Sequence, residues 1–214
     1  MKPIKDLRLE YSKESLDVSD VVSNPIQQFE RWMNEALDAD LIEPYAMTLS
    51  TVGNDLKPSS RIVLLRGISP LGLTFFTNYE SKKGQNLLEN PQAALNFFWP
   101  ELERQVRIEG TVQKTTPEES TAYFHSRPKG NRLGAWASDQ SRPIESKEAL
   151  QIKAQKVEVH FENEDSVPCP EHWGGYRLIP IYFEFWQGRP SRLHDRIFYE
   201  KDESGNWKIG RLQP

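Results

Sequence analysis

Cysteine occurs once in 214 residues, at Cys169, so no disulfide can form within the chain and the core must hold without one. That usage fits a reducing, cytoplasmic setting. Long apolar runs are missing too. No stretch reaches the roughly 18 apolar residues that a membrane span needs, and the start, with Lys2, Lys5, Asp6 and Arg8, has no signal-peptide core. Positive charge is not in excess: 27 Lys and Arg stand against 31 Asp and Glu, which argues against a nucleic-acid or anionic-membrane partner. The glycine-rich loops G-x-G-x-x-G and G-x-x-x-x-G-K are absent, excluding Rossmann and P-loop nucleotide sites. There is no G-x-S-x-G elbow. His125, His160, His172 and His194 show neither i,i+4 pairing nor the carboxylates of a zinc motif, so no metal is expected.

What is present reads as an arm followed by one domain, 1–23 and 24–214. The arm is polar and of mixed charge; Arg8 and Tyr11 give it a cation and a phenol that could fold over a ligand. Asn24-Pro25 pairs an N-cap with a first-turn proline, and Ile26, Phe29, Met33, Ala36 and Leu37 recur at helical spacing, which predicts a helix over 25–39. From Ala46 the period becomes two. Strands are expected near 46–52, 57–66 and 73–77, joined as a three-stranded meander, then at 93–99 and 104–114 around the Pro100 to Glu103 hairpin. A helical interlude follows: a capping box at Thr116 and Glu119, a segment over 131–137, and a helix over 146–161 with Leu150, Ala154, Val157 and Phe161 on its packed face. Strands return at 176–179, 181–186, 197–201 and 207–212. Mainly β structure with flanking helices and tight turns points to a curled antiparallel sheet or barrel.

The cations sit at strand ends and helix starts. Arg61 and Arg66 bracket Ile62 to Leu65 and, five apart, face opposite sides of a regular strand, where they could serve two anions. Lys82 and Lys83 follow Ser81 in the first turn of a short helix, where free N–H groups and the helix dipole favour phosphate. Tyr123, Ser126 and Arg127 close another helix and could hold a second phosphate. The stretch Trp186 to Arg196 leaves an apolar strand and places Arg189, Arg192, His194 and Arg196 beside an aromatic wall, a surface suited to a flat anionic ligand and the expected point of convergence of the chemistry.

Several ordered segments resemble one family. Ser59-Ser60-Arg61-Ile62-Val63-Leu64-Leu65, Phe76-Thr77-Asn78-Tyr79 with Ser81-Lys82-Lys83, and Trp99-Pro100 with Arg104-Gln105-Val106-Arg107 are similar to pyridoxamine 5′-phosphate oxidases. So are Tyr123-Phe124 with Ser126-Arg127-Pro128, Gly134-Ala135-Trp136-Ala137-Ser138 with Gln140-Ser141, and Phe185 with Trp186 to Arg196. The resemblance implies an FMN-binding split β-barrel, a homodimer with flavin bound across the subunit interface, and oxidation of pyridoxine 5′-phosphate or pyridoxamine 5′-phosphate to pyridoxal 5′-phosphate. O₂ would be reduced to hydrogen peroxide, after hydride transfer from the substrate 4′ carbon to flavin N5.

By the same resemblance, the FMN phosphate and ribityl chain fall to Arg61, Lys82 and Lys83. The flavin ring and its surroundings fall to Arg66, Phe76, Thr77, Gln105, Gln140, Ser141, Trp186 and Arg196. The substrate phosphate falls to Tyr123, Arg127 and Asn131, with Arg66 between the ligands; Arg192 and His194 flank the pyridine ring as the catalytic pair, and Arg8 and Tyr11 close over it. Three positions depart from the family pattern: Arg66 for Lys, Asn131 for Ser, and Leu9 for a second basic residue. Two alternatives stay open, a split-barrel flavin oxidoreductase of another specificity and a non-catalytic binder of FMN or pyridoxal phosphate.

Overall fold

The computed structural model describes residues 10–164 and 166–214, so the expectations for Arg8 and Leu9 lie outside them. Helix α1 (Pro25–Asp38) starts where Asn24 accepts N–H bonds from Ile26 and Gln27, which satisfies donors that the first turn leaves free. Its apolar stripe buries Phe29, Trp32, Met33 and Ala36. Phe29 lies 4.9 Å from Phe97 and Trp32 stands edge-on to Phe185 at 5.2 Å, so α1 caps the concave side of the sheet. Each such side chain contributes on the order of 1.5–3 kcal/mol by leaving water.

Among the described residues nine antiparallel strands form one curled sheet: β1 (Ala46–Val52), β2 (Pro58–Leu64), β3 (Gly67–Ser69), β4 (Gly72–Asn78), β5 (Gln92–Trp99), β6 (Arg104–Lys114), β7 (Trp173–Gln187), β8 (Asp195–Lys201) and β9 (Trp207–Arg211). The main path is β2-β1-β5-β6-β7-β4-β3, with β8 and β9 extending from β7. Period-two patterning places Met47, Leu49, Leu95, Phe97, Val106, Ile108, Phe183 and Phe185 on the concave side, all within 1% of complete burial.

The expected three-stranded meander is corrected here. β2 pairs with β1, whereas β4 pairs with β3 and β7 at the other end of the path. The chain leaves β2 at Leu64: Leu65 N–H bonds to Tyr45 O and Arg66 N–H to Thr74 O, so 57–66 is not one strand. A single β7 likewise replaces the two expected strands at 176–179 and 181–186. Pro180 is tolerated inside it because the register slips there: Tyr182 faces Glu109 and Pro180 faces Gly110, leaving Ile181 as the extra residue of a bulge. Gly110 is required at that point, since a Cβ would lie 2.2 Å from Ile179 O.

Helices α2 (Lys82–Glu89), α3 (Pro117–Ser126), α4 (Lys129–Ala137) and α5 (Lys147–His160) flank the sheet. The capping box of α3 forms as expected between Thr116 and Glu119. A second, smaller core of Phe124, Phe161, Val167 and Trp173 lies beneath α3 to α5. The packed face expected for the helix over 146–161 forms only at its C-terminal end: Phe161 is buried and Val157 packs against that core, whereas Leu150 and Ala154 are exposed. Among the described residues no helix is long and apolar enough to cross a membrane.

Candidate active site

A hollow of about 940 Å³ opens between the end of β2, the end of β4, α2 and the α3–α4 corner. Arg61, Arg66, Phe76, Thr77, Lys83, Tyr123, Arg127, Asn131 and Gln140 all line it. Arg61 and Arg66 therefore share one cavity, against the expectation of opposite faces. The alternation that would separate them ends at Leu64, and the turn through Leu65 swings Arg66 back.

Arg61 is held by three acceptors: Leu49 O at 3.1 Å, Thr51 Oγ1 at 2.8 Å and Ser59 Oγ at 2.7 Å. Lys83 is buried at the start of α2 and donates to Thr77 Oγ1, Ser81 Oγ and Gln140 Oε1 at 3.0, 3.2 and 2.7 Å. Burial, and then the charge of Arg61, lower its pKa to about 8. Among the described residues both cations bond only to neutral oxygens, so the pair carries positive charge into the hollow. Lys82, expected beside them, is exposed and does not line the cavity; consecutive helical residues point about 100° apart, so only one of the two can face inward.

On the other wall, Tyr123 stacks on Phe76 at 3.9 Å and 19°, and Phe76 stacks in turn against Trp173 at 5.6 Å. The Arg127 guanidinium lies over Trp173, 4.7 Å from the ring centre. Its Nη1 is buried with no hydrogen-bond partner, and burial lowers the pKa of the group. A buried, unpartnered donor of this kind is costly until an acceptor reaches it. Arg66 stands beside Tyr45, 5.3 Å from the ring centre.

Ser141 neighbours Gln140 but is not among the lining residues. A second cluster lies apart from the hollow, so the chemistry expected to converge on Trp186 to Arg196 is divided within one chain. Trp186 and His194 lie 4.6 Å apart, and Tyr11 stands edge-on to both, at 5.6 and 5.9 Å. Gln105 and Arg196 pair with Trp186 in the sheet register and share its convex face. Arg192 is exposed on a turn where Ser191 and Arg192 are both left-handed, at φ 57° and 62°; Ser141 adopts φ 73°. Non-glycine residues in that region cost roughly 1–2 kcal/mol each, and strain of this kind gathers at functional positions. His194 Nδ1 accepts the Arg189 N–H at 3.1 Å, while burial, and then the charge of Arg192, lower its pKa.

The sequence pattern described as pyridoxamine 5′-phosphate oxidase matches residues 33–161. The chain belongs to the pyridoxamine 5′-phosphate oxidase family. A second pattern, the pyridoxine 5′-phosphate oxidase C-terminal dimerisation region, matches residues 173–214. A pyridoxine/pyridoxamine 5′-phosphate oxidase of Paraburkholderia phymatum is 56% identical over 214 residues, covering 100% of both chains. The oxidase of that name from Burkholderia lata is 56% identical over 216 residues, again covering 100% of both. Among solved structures, PhzG from Burkholderia lata 383, in complex with tetrahydrophenazine-1-carboxylic acid, matches with a TM-score of 0.86 at 32% identity, over 94% of this chain and 100% of its own. A pyridoxamine 5′-phosphate oxidase-related, FMN-binding protein of Nostoc punctiforme shares the fold, with a TM-score of 0.70 at 17% identity over 91% and 100% of the two chains. The curled antiparallel sheet with flanking helices is thus the split β-barrel of this oxidoreductase family.

Against the family pattern, the structure adds residues that sequence reasoning missed. Trp173 walls the hollow, and the Gly174-Gly175 pair that follows it was the available signal: a Cβ on Gly175 would meet Phe76 Cε1 at 2.9 Å. Glu184 is 2% exposed and accepts from Arg196 Nε and Nη2 at 2.8 and 3.0 Å and from Arg107 at 3.1 Å. A carboxylate in the middle of an apolar strand, in phase with Trp186, would have marked it.

Proposed function

We propose that this chain is an FMN-dependent oxidase, working as a homodimer, that converts pyridoxine 5′-phosphate or pyridoxamine 5′-phosphate to pyridoxal 5′-phosphate while O₂ becomes hydrogen peroxide. One observation carries the reading: a single hollow holds two cation groups, Arg61 with Lys83 and Arg127 with Arg66, beside one stacked aromatic wall. That arrangement fits two phosphorylated ring systems. Arg61 and Lys83 would hold the flavin phosphate, supported by Thr77 and Gln140. Arg127, Tyr123 and Asn131 would hold the substrate phosphate, giving the orphaned Arg127 Nη1 an anionic partner. Lys82 and Ser141 stay in the proposal only as neighbours of this shell.

The second cluster supports the dimer. Ile62 at the hollow and Phe98 on the same convex face are 65% and 50% exposed, and Gln105, Trp186 and Arg196 continue that face. A two-fold related copy covering the apolar part would bring its own Trp186 to Arg196 cluster over the open side of the hollow, making two equivalent sites. The match of 173–214 to a dimerisation region agrees with this.

Bound FMN supplies the capacity to accept two electrons and pass them to O₂. The protein's part is orientation and exclusion of water. Arg192 is free to orient the substrate ring. Because His194 Nδ1 accepts the Arg189 N–H, the neutral imidazole carries its proton on Nε2, and its lowered pKa keeps it neutral near pH 7. His194 is then a donor to the 4′ oxygen or nitrogen, which favours the orienting role over that of a base. Tyr11 and Trp186 would shield that contact. A reducing cytoplasm is the setting that the lone Cys169 supports.

The test is direct. The purified protein with FMN and pyridoxine 5′-phosphate should yield equal amounts of peroxide and aldehyde. Peroxide only with tetrahydrophenazine-1-carboxylic acid would move the protein to another flavin specificity, and bound FMN without peroxide from either would make it a non-catalytic binder.

A further inference from the structure

The segment before α1 is fastened to the barrel at successive points, and the first of them is Glu103. This residue closes the β5–β6 hairpin in a left-handed conformation, φ 53°, and is 8% exposed. Its Oε2 accepts the N–H groups of Ser12 and Lys13 at 2.8 and 3.0 Å, across 91 and 90 positions of sequence. Its main-chain carbonyl accepts the Gly188 N–H at 2.8 Å and Gln187 Nε2 at 3.2 Å. One residue thus ties the segment bearing Tyr11 to the turn that leads into Arg192 and His194. The fit is close: a Cβ on Gly188 would lie 2.7 Å from Tyr11 Cβ and 3.0 Å from Glu103 Cβ.

We infer that Glu103 is a positioning residue, which acts through Tyr11 to hold one wall of the His194 and Trp186 cluster in place. The inference rests on the function proposed above, which puts that cluster at the substrate. Two backbone donors converging on one carboxylate oxygen form charge-assisted bonds, and they fix the backbone next to a phenol ring that stands edge-on to two other rings. The other fastenings do not use the Glu103 carboxylate: Lys13 Nζ donates to Glu101 O at 2.5 Å, Arg189 donates to Glu14 O at 3.0 Å, and Asp195 accepts the Leu16 N–H at 3.1 Å. Loss of the Glu103 carboxylate therefore frees only the tip around Tyr11, with Leu16 still buried and the barrel intact.

The experiment compares Glu103→Ala, Glu103→Gln, Tyr11→Ala and the Glu103→Ala/Tyr11→Ala double variant in the full-length, FMN-loaded protein. Glu103→Ala should raise KM for pyridoxine 5′-phosphate about tenfold with kcat held within about twofold, since a lost pair of charge-assisted bonds is worth at least a factor of ten. Glu103→Gln keeps an acceptor oxygen and should restore most of the affinity. The double variant should be no worse than Tyr11→Ala, because both changes remove the same wall. Trypsin cleavage after Lys13 should be faster in Glu103→Ala than in the parent protein. Multiplying effects in the double variant, or an unchanged rate of cleavage after Lys13, would overturn the inference. Should the parent protein oxidise no B6 phosphate, the proposed function falls, and the proteolysis arm still decides whether Glu103 fastens the segment.

Discussion

Lys83 Nζ donates to Gln140 Oε1 across 2.7 Å, joining the first turn of α2 to the loop after α4. Thr77 Oγ1 bonds to both, at 3.0 Å from Nζ and 3.2 Å from Oε1. With Ser81 Oγ, the Thr77 and Gln140 oxygens form a neutral cradle around a cation that burial disfavours, a state that a phosphate would relieve.

The pH dependence of cofactor binding follows from that cradle. With a pKa of about 8 before ligand is bound, Lys83 is charged below that pH and neutral above it. FMN affinity of the apoprotein, read by flavin fluorescence quenching above pH 7 where the flavin phosphate is already largely a dianion, should fall as pH rises through 8, roughly tenfold for the loss of one phosphate-paired charge. Lys83→Met should be weak and flat across the same range. A parent protein whose affinity rises above pH 8 would contradict the assignment of Lys83 to an anion.

Under the proposed function the substrate phosphate falls to Arg127 and the flavin phosphate to Lys83. Among the described residues Arg127 Nη1 lacks a partner and its guanidinium lies over Trp173, whereas Lys83 is bonded to Thr77, Ser81 and Gln140. Arg127→Ala should raise KM for pyridoxine 5′-phosphate by about a hundredfold, the loss expected for a charge-assisted bidentate contact, while FMN occupancy stays near that of the parent protein. Steady-state kinetics and flavin content of the same preparation check both halves. Lost FMN with an unchanged KM would reverse the sorting.

His194 has its tautomer set by Arg189 N–H. His194→Asn should lower kcat by about tenfold or more with FMN still bound, because the amide cannot place a donor where Nε2–H stands. If Nε2–H acts as a donor, kcat should show no acidic limb near pH 6.5, since a lowered pKa keeps the ring neutral to below that value. Turnover that ignores the substitution would remove His194 from the reaction.

Much of the architecture was readable from local chemistry. Asn24-Pro25 and Thr116 with Glu119 mark helix starts through bonds made within a few residues, so sequence alone locates them. The period-two runs of β1, β5 and β6 likewise announce their buried faces. Long-range pairing was not readable. That β4 joins β7 rather than β2 depends on where the chain turns after Leu64, and that turn rests on bonds to Tyr45 and Thr74. Pro180 looked like a strand end because the bulge that accommodates it is created by β6.

The site divides in the same way. Residue types, their order and the family resemblance are properties of the chain as written, and they named Arg61, Lys83, Tyr123 and Arg127 before any geometry. Folding decided which of those cations face one another: Arg66 comes round to the same hollow as Arg61, Lys82 turns outward, and Trp186 with His194 lies elsewhere. A side chain's identity is encoded at one position, whereas its direction depends on the strand register, the helix phase and the partner surfaces that only the assembled fold supplies.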